Sequence, residues 1–421
     1  MSLFLTFVVC MVVCCNVLHA QTYNFTAVDK ILEDSLAVLG GTGPDDAGGV
    51  CLLIHKDGKL IYDRSIALPG KNMSKTRLLP IASASKWVSG AVITALLDRN
   101  ILSLDHTLSQ YFPSVSEEKR GITLRQLFTF TAGFRSNLGP ITPCVEDITS
   151  TITLAECVDS VLSGKLTTLP GSTLNYGSEG MHVAGRMAEI AFNNMLPSGN
   201  CWDSVFTETI ARNLEWTRTS WDVRGLYNTD NPRIDGGVLS TAEEYLKLLV
   251  MILNRGVYNG RRVIGAEWID TMLADQTQGA RISYTPYLGM EALFPGVSST
   301  RYGIGLWRER VDPVTDTLLE GASQGRFGYS PWIDFQRGYC AVLALKSNSV
   351  TSVYPSYMKL KQAIRDVLDA TTSVSFADDS AEWRTIGTYD VLGRAVDNNA
   401  TGALFVVEQC KTSIRCRTMY R

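Results

Sequence analysis

The sequence lacks the features that are typical of a nucleic-acid-binding protein. It has no run of Lys or Arg, and basic residues do not alternate with aromatic ones. Its Cys and His residues do not have the spacing of a zinc site. The net charge is -3 and charged residues make up 19% of the chain. We therefore expect no nucleic-acid partner.

Histidine is also scarce, with 4 in the whole chain. Beyond the N-terminal leader the histidines are His55, His106 and His182, and none has a Cys, His or carboxylate at ligand spacing. We expect all three to be structural or exposed, and we expect neither a metal nor another cofactor. A Ser-His-Asp triad is disfavoured, and no Gly-x-Ser-x-Gly elbow surrounds a plausible nucleophile.

Long apolar runs are absent except at the N-terminus. Residues 3–18 are apolar, His19 and Ala20 follow, and residues 21–24 are polar. This pattern predicts a signal peptide over residues 1–20, cut after Ala20, and a secreted protein without stable membrane insertion after cleavage. A membrane anchor is the alternative, because the leader starts without Lys or Arg and the run is nearly long enough to span a bilayer.

The cysteine count is odd once the leader is removed. Three of the 10 cysteines lie in residues 1–20, which leaves seven. An odd number in a secreted chain requires a free thiol or an intermolecular bridge. Proximity favours the pairs Cys144 with Cys157 and Cys410 with Cys416. Sequons at Asn24, Asn72 and Asn399 predict a glycoprotein if the chain passes through a eukaryotic secretory pathway.

The length of 421 residues allows a large core and two domains or two interleaved lobes. Strand patterns lie near both ends of the body and helical patterns lie between them. The sequence therefore predicts an α/β sheet domain from residues 21–105 and 290–370, with an inserted helical domain at 106–289. Residues 371–421 form a C-terminal extension, predicted as a small β-hairpin; the oligomeric state is open.

Individual elements follow from periodicity and turn residues. A hairpin is predicted over 49–62, and residues 134–170 are predicted as a loop-rich insertion closed by a disulfide. The first predicted helix opens in the stretch 81–88, with Ser83 in its first turn, and ends at the stop signal 98–100. The other predicted helices are 123–133 (capped by Thr123 and closed by Gly133), 179–193, 239–253, 268–272 and 356–369. The predicted later strands are 302–307, 327–335 and 339–345.

Ser83 and Lys86 are the first candidates for chemistry. On a helix their spacing puts a hydroxyl and an amine on one face, within reach of each other. The lysine can take the serine proton if burial keeps part of it neutral. A first-turn position for Ser83 would place a developing oxyanion near free N–H groups. The pair alone is weak, because Ser-x-x-Lys is common at solvated helix starts.

Further motifs in the same order make the pattern specific. Residues 45–370 resemble the serine β-lactamase and penicillin-binding-protein-like family, in the branch of class C β-lactamases, D-aminopeptidases and family VIII carboxylesterases. The motifs are Ser83-Ala84-Ser85-Lys86, then Pro170-Gly171-Ser172 with Tyr176-Gly177-Ser178. The flanks Leu102-Ser103-Leu104-Asp105, Thr123-Leu124-Arg125-Gln126-Leu127, Gly237-Val238-Leu239-Ser240-Thr241-Ala242 and Tyr302-Gly303-Ile304-Gly305 agree with it. The resemblance implies a β-lactamase/transpeptidase-like fold, with an antiparallel sheet flanked by helices.

The resemblance also implies a mechanism. Ser83 would attack a carbonyl, and Lys86 with Tyr176 would relay the proton. A tyrosine of ordinary pKa needs a nearby cation to act as a base, and Lys86 would be that cation. The oxyanion would accept hydrogen bonds from the N–H groups of Ser83 and of a residue on the neighbouring strand.

The third family motif departs from the pattern. Where the family has Lys-Thr-Gly or His-x-Gly, this chain has Ser323-Gln324-Gly325, followed by Arg326, which would donate the second oxyanion N–H. Ser178 replaces the usual Asn. We predict these five residues to contact the substrate, which would be a small molecule or short peptide.

Both changes weaken the case for substrates that carry a carboxylate. They favour an esterase-like hydrolase acting on small esters, amides or lactones. D-amino-acid peptidase or β-lactamase-type activity is the alternative within the enzymes. A secreted, non-catalytic protein that reuses the fold for binding is the alternative from another class.

Overall fold

The structure is a computed structural model of the whole chain. It describes residues 23–135, 141–146, 152–197, 199, 201–221, 230–287, 289, 291–372, 384–390, 396, 403–410 and 413–420. The predicted signal peptide therefore lies outside the described residues. The chain divides into two compact units, residues 25–364 and residues 1–24 with 365–421, and each is considered separately.

A seven-stranded antiparallel sheet forms the larger unit, with strand order β2-β1-β13-β12-β11-β10-β9. Its strands are β1 Gly49–Lys56, β2 Lys59–Ala67, β9 Arg301–Tyr302, β10 Trp307–Val311, β11 Leu318–Ala322, β12 Ser330–Asp334 and β13 Tyr339–Ala344. The short strands β3 Leu79–Pro80, β4 Thr173–Asn175, β5 Leu239–Ser240, β6 Val257–Tyr258, β7 Arg261–Arg262 and β8 Arg281–Tyr284 form the separate pairs β3-β5, β4-β8 and β6-β7. Since β1 pairs with β13, the two ends of this unit join in the middle of the sheet. The predicted fold class is confirmed.

The helices come mainly from the middle of the chain. They are α1 Thr26–Asp34, α2 Leu36–Gly40, α3 Ser85–Asp98, α4 Leu108–Tyr111, α5 Leu124–Phe128, α6 Pro143–Glu146, α7 Leu154–Ser163, α8 Glu179–Met195, α9 Trp202–Phe206, α10 Ala242–Leu253, α11 Ala266–Leu273 and α12 Val350–Thr372. Among the described residues no helix is both long enough and apolar enough to cross a bilayer. The predicted division into a sheet domain and an inserted helical domain stays a prediction.

Local sequence explains the first hairpin and the main helix starts. Asp57 and Gly58 both have positive φ, 49° and 75°, as a tight turn between twisted antiparallel strands requires. Thr123 caps α5 by accepting a hydrogen bond from the N–H of Gln126. Thr241 caps α10 by accepting one from the N–H of Glu244 at 3.1 Å.

α3 is buried on every side, because every residue from Ser85 to Leu97 is inaccessible to solvent. Two glycines allow this close packing. A Cβ on Gly90 would lie 2.3 Å from the carbonyl oxygen of Ile304. Gly305 has φ of 91°, and a Cβ there would lie 2.3 Å from the carbonyl oxygen of Lys86. The backbone of residues 304–305 therefore touches α3 one turn from Lys86.

Four sequence predictions of secondary structure were wrong in part. The strand predicted over 302–307 is interrupted after Tyr302, because the glycines that follow turn the chain against α3. The helix predicted from Thr123 to Gly133 ends at Phe128. Strand β11 was missed because Gly321 and Ala322 carry little strand signal. Helix α7 was missed within residues 134–170, although Thr153 and Glu156 form a capping box there.

The disulfide prediction holds where the structure describes the side chains. Cys144 and Cys157 are joined by an S–S bond and close the segment predicted as a disulfide-bound insertion. Cys51, Cys201 and Cys340 are free thiols. The side chains of Cys410 and Cys416 lie outside the described residues.

The second unit contains a small antiparallel sheet. Its strands are β14 Arg384–Asp390, β15 Ala403–Cys410 and β16 Ser413–Tyr420, in the order β14-β15-β16. β15 and β16 pair from Ala403 with Tyr420 to Cys410 with Ser413. The predicted extension therefore has three strands where a hairpin was expected. The predicted turn and sequon at 397–401 lie outside the described residues.

Candidate active site

Ser83 lies on a short 3₁₀ turn, Ala82–Ala84, immediately before α3. The residue before it, Ala82, has φ of 45°, a conformation that non-glycine residues rarely adopt. The Ser83 side chain is half-buried, whereas the residues after it are buried. A hydroxyl presented on a strained turn at a helix start is a typical arrangement for a nucleophile.

Lys86 extends from the first turn of α3 back toward Ser83. Its Nζ lies 3.3 Å from Ser83 Oγ and 4.8 Å from the centre of the Tyr176 ring. Tyr176 follows β4, and its N–H donates to the carbonyl of Tyr284 at 3.0 Å. The three side chains predicted to carry the chemistry are thus brought together.

An aromatic cluster holds the Tyr176 ring in place. Phe130 and Trp307 contact it with ring centres 4.8 and 5.4 Å away. Phe130 has φ of 59°, a left-handed conformation that is unfavourable for a bulky residue. We conclude that packing fixes the position of the Tyr176 ring beside Lys86.

Asp235 is the partner of Lys86 that sequence reasoning missed. Lys86 Nζ donates to the Asp235 carbonyl oxygen at 2.9 Å and lies 3.3 Å from Oδ2 of the carboxylate. Ser178 Oγ donates to the same Oδ2 at 2.7 Å. The only sequence signal was the position of Asp235 directly before Gly236-Gly237, at the edge of a matched flank.

Serines of α3 fix the backbone around Asp235. Ser89 Oγ donates to the carbonyl of Ile234, and Ser85 Oγ accepts from the N–H of Val238 at 3.1 Å. The loop from 234 to 238 is thereby bound along the same face of α3 that carries Lys86. Asp235 is consequently placed by contacts on both sides of it in sequence.

Burial and charge act in opposite directions on this cluster. Burial opposes the charge on Lys86, but the negative charges of Tyr176, when ionised, and of Asp235 outweigh it and raise the pKa of Lys86 above its ordinary value. Burial likewise opposes the charge on Asp235, while Lys86 and Arg233 hold the pKa of Asp235 well below its usual range. These charges favour the ammonium form of Lys86, the cation that Tyr176 would need in order to act as a base.

The third predicted motif, residues 323–325, packs against the turn that carries Ser83. Ser323 Oγ donates to the carbonyl oxygen of Ser83 at 3.3 Å, and a Cβ on Gly325 would lie 2.1 Å from the carbonyl oxygen of Ile81. Arg326 follows directly, and its side chain is exposed. Within the described part of the chain, the N–H groups of Ser83 and Arg326 have no hydrogen-bond partner. Two free donors at neighbouring segments are what an oxyanion hole needs.

The Gln324 side chain is bound inside the protein. Its amide nitrogen donates to Glu309, and its amide oxygen accepts from the Tyr287 hydroxyl at 2.9 Å. Glu309 is fully buried and pairs with Lys361 at 2.8 Å. Gln324 therefore anchors the end of β11 to the core.

These observations agree with a comparison against known families. A family profile described as Beta-lactamase matches residues 41–352, most of the chain. The chain belongs to the β-lactamase family. It is accordingly a serine hydrolase of that family, and the resemblance seen in the motifs is confirmed. A search of curated protein sequences found no match.

Several solved structures share this fold. A β-lactamase-like protein from Bacteroides dorei DSM 17855 is 27% identical, with a TM-score of 0.69, over 83% of this chain and 100% of that chain. EstCE1, a hydrolase with promiscuous acyltransferase activity, is 17% identical, with a TM-score of 0.61, over 80% and 100%. D-amino acid amidase from Ochrobactrum anthropi SV3 is 16% identical, with a TM-score of 0.60, over 81% and 98%.

The five residues predicted to contact the substrate fall into two groups. Ser323, Gly325 and Arg326 lie beside the nucleophile turn. Ser178 is fully buried and Gln324 is hydrogen-bonded to Glu309, so both side chains contact protein groups. The substrate-binding roles of all five residues stay predictions.

Proposed function

We propose that this protein is an esterase-like serine hydrolase that works through an acyl-enzyme on Ser83. The observation that carries the proposal is the convergence of Ser83, Lys86 and Tyr176, with Lys86 Nζ 3.3 Å from Ser83 Oγ and 4.8 Å from the Tyr176 ring centre. An alcohol, an ammonium and a phenol in one half-buried place can pass a proton and carry an acyl group.

Acylation and deacylation use the same groups, and in each step Tyr176 first accepts a proton and then gives it up. The Ser83 oxygen bonds to the substrate carbonyl carbon while its proton passes to the Tyr176 phenolate, which the Lys86 ammonium stabilises. The proton then goes to the leaving alcohol as the ester bond breaks. Water attacks the acyl-enzyme, gives its proton to Tyr176, and the acid leaves as Ser83 regains its hydrogen. The N–H groups of Ser83 and Arg326 would stabilise the oxyanion in both steps.

The substrate is proposed to be a small neutral ester, amide or lactone. Ser323 stands where the family has Lys or His, so the side chain at this position offers no positive charge to a substrate carboxylate. Arg326 is charged but exposed. The likeness to EstCE1 supports acyl-group chemistry, and the likeness to the D-amino acid amidase supports the second candidate, D-amino-acid amide hydrolysis.

The first experiment labels the purified protein with a fluorophosphonate probe and measures hydrolysis of short-chain p-nitrophenyl esters. Ser83→Ala should abolish labelling and remove the hydrolytic rate, because the nucleophile is gone. Tyr176→Phe should lower kcat by about 10² or more, since the proton acceptor is gone. Ser160→Ala, which changes an exposed serine hydroxyl on α7, is the matched control and should behave as wild type.

The outcomes separate the candidate functions. Labelling that survives Ser83→Ala would reject this nucleophile. A wild-type protein that neither binds the probe nor turns over any ester would favour the non-catalytic binding role. A chromogenic cephalosporin and D-amino-acid amides, tested beside the esters, distinguish β-lactamase-type and amidase activity from the esterase.

We also propose that the protein acts outside the cell. The apolar leader with a small residue at position 20 supports secretion. The Cys144–Cys157 disulfide supports an oxidising compartment. The sequon at Asn72 lies on an exposed residue, as glycosylation there requires.

A further inference from the structure

Asp235 and Ser178 form a second layer behind the nucleophile that the family motifs do not contain. The branch this chain resembles has an Asn two residues after the motif tyrosine, whereas this chain has Ser178 there. The shorter Ser178 side chain donates to the carboxylate of Asp235 at 2.7 Å. Asp235 in turn contacts Lys86 through both its carbonyl oxygen and its carboxylate.

We propose that Asp235 is a positioning residue that keeps Lys86 protonated and directed at Ser83 and Tyr176, with Ser178 orienting its carboxylate. This inference rests on the proposed function of Ser83, Lys86 and Tyr176. In this protein the carboxylate of Asp235 anchors the lysine. Ser178 has no side-chain amide, unlike the Asn found at this position in the resembled branch.

The geometry favours this role over a surface ion pair. The Lys86 side chain is 1% exposed and that of Asp235 is 5% exposed, so water screens their attraction little. The carboxylate is held by Ser178 and the backbone beside it by Ser85 and Ser89. A buried, rigidly placed carboxylate of this kind can fix both the protonation state and the direction of an ammonium.

The other titratable groups around the pair come from several elements. Tyr176 follows β4, His182 lies on α8 and Tyr302 lies on β9. Arg233 Nη2 lies 3.9 Å from Asp235 Oδ1. Burial lowers the pKa of His182 to about 4, so its ring is neutral near neutral pH. The net charge around Lys86 is therefore dominated by Asp235, with Arg233 as the opposing cation.

The consequence for catalysis is a pH dependence. The reactive form needs a base beside the Lys86 ammonium, so it arises when the site loses one proton. The negative charge of Asp235 opposes that loss, so the wild-type rate should rise with pH with a midpoint above neutrality. In Asp235→Asn the carboxylate is absent, so the midpoint should move to lower pH by about one unit or more. The maximal rate should fall by about tenfold, because the ammonium is no longer anchored.

The test follows the initial rate of Ser83 phosphonylation by the fluorophosphonate probe against pH. Four proteins are compared: wild type, Asp235→Asn, Asp235→Glu and Glu189→Gln. Asp235→Glu keeps the charge and should keep the wild-type midpoint, even at a lower maximal rate. Glu189 is a buried carboxylate paired with Arg186 on α8, so Glu189→Gln controls for loss of a buried acid elsewhere. An unchanged midpoint in Asp235→Asn, or a wild-type midpoint in the acid range, would overturn the proposal.

A second measurement does not depend on activity. In Asp235→Asn the buried Lys86 ammonium loses its partner, so its pKa in the folded state falls below the unfolded value. Lys86 of the variant then binds a proton more readily in the unfolded chain than in the folded protein. The free energy of unfolding of the variant should therefore rise, relative to that of wild type, as pH rises through the alkaline range. A stability difference that does not change with pH rejects the Lys86–Asp235 pairing. If Ser83→Ala still binds the probe but the stability difference between Asp235→Asn and wild type changes with pH as expected, only the proposed nucleophile is wrong.

Discussion

At the scale of single residues, burial sets the protonation state of His182. Its ring is buried on α8, with Nδ1 3.3 Å from the Ser178 carbonyl oxygen. Within the described part of the chain its Nε2 has no hydrogen-bond partner. Burial lowers its pKa to about 4, well below the ordinary value of 6.5. Between about pH 4 and pH 6.5, His182 is therefore neutral in the folded protein but protonated in the unfolded chain.

This pKa difference predicts loss of stability in acid. Because the folded pKa is depressed, the contribution of His182 is complete above about pH 6.5 and is lost as the pH falls toward about 4. The loss should be about 3 kcal/mol. Urea unfolding of wild type and His182→Gln at several pH values measures it, since the variant cannot take up this proton. An equally steep decline in His182→Gln would contradict the prediction.

The distance along the chain between two site residues determines whether the sequence could predict their contact. Ser83 and Lys86 are three positions apart, so a helix start brings them together whatever the rest of the chain does. Asp235 lies 149 positions from Lys86, and no local pattern connects them. Tyr176 was found through the family motif, because its spacing to Ser83 has no meaning before the chain folds.

At the scale of elements, α3 is held close to the segment between β9 and β10. Gly90 faces the Ile304 carbonyl at a distance that excludes a side chain. The same segment touches the Lys86 carbonyl through Gly305, so the separation of these backbones determines where the turn that carries Ser83 lies. A glycine inside a helix costs about 1 kcal/mol relative to alanine, and here close packing offsets that cost.

Gly90→Ala should therefore destabilise the protein although alanine favours helices. A Cβ 2.3 Å from Ile304 O must push the two backbones apart. We expect a net loss of about 1–3 kcal/mol and a lower kcat, because Lys86 moves with α3. Gly121→Ala is the matched control, since a Cβ there meets nothing within 4 Å. Chemical denaturation gives the stabilities, and a Gly90→Ala protein as stable as wild type would refute the packing argument.

Element boundaries show how tertiary contacts override local signals. The strand pattern over 302–307 is real in composition, yet the backbone turns between Tyr302 and Trp307 to meet α3. In β11, Glu320 is buried although glutamate is usually an exposed residue. Lys361, far along the chain, pairs with this carboxylate and offsets the cost of burying its charge.

At the scale of the larger unit, a buried ionic network joins α12 to the sheet. Lys361 pairs with Glu309 on β10 and Glu320 on β11, and all three side chains are at most 1% exposed. Gln324 connects this network to the end of β11 beside Ser83. The segment beside Ser83 is therefore connected, through Gln324, to buried charges that only folding brings together.

Removing the cation of this network should be costly. Lys361→Met removes the ammonium that the two buried carboxylates share, for which we expect a loss of about 3–5 kcal/mol. Adding Glu309→Gln and Glu320→Gln to the same protein should restore part of it, because the uncompensated charges are gone. Lys359→Met, at an exposed lysine on α12, is the matched control for urea unfolding. Equal stabilities for Lys361→Met and Lys359→Met would show that the network contributes nothing.

The sequence alone determined the features that depend on neighbours along the chain. These are the hairpin at Asp57-Gly58, the capped helix starts, the Cys144–Cys157 disulfide and the Ser83–Lys86 pair, and the ordered motifs added the fold and the family. The tertiary structure decided the rest, including the charge on Lys86, the partner it has in Asp235 and the buried position of Ser178 and Gln324. The physical reason is that desolvation and ion pairing depend on which distant groups share a buried space, and sequence spacing does not specify that.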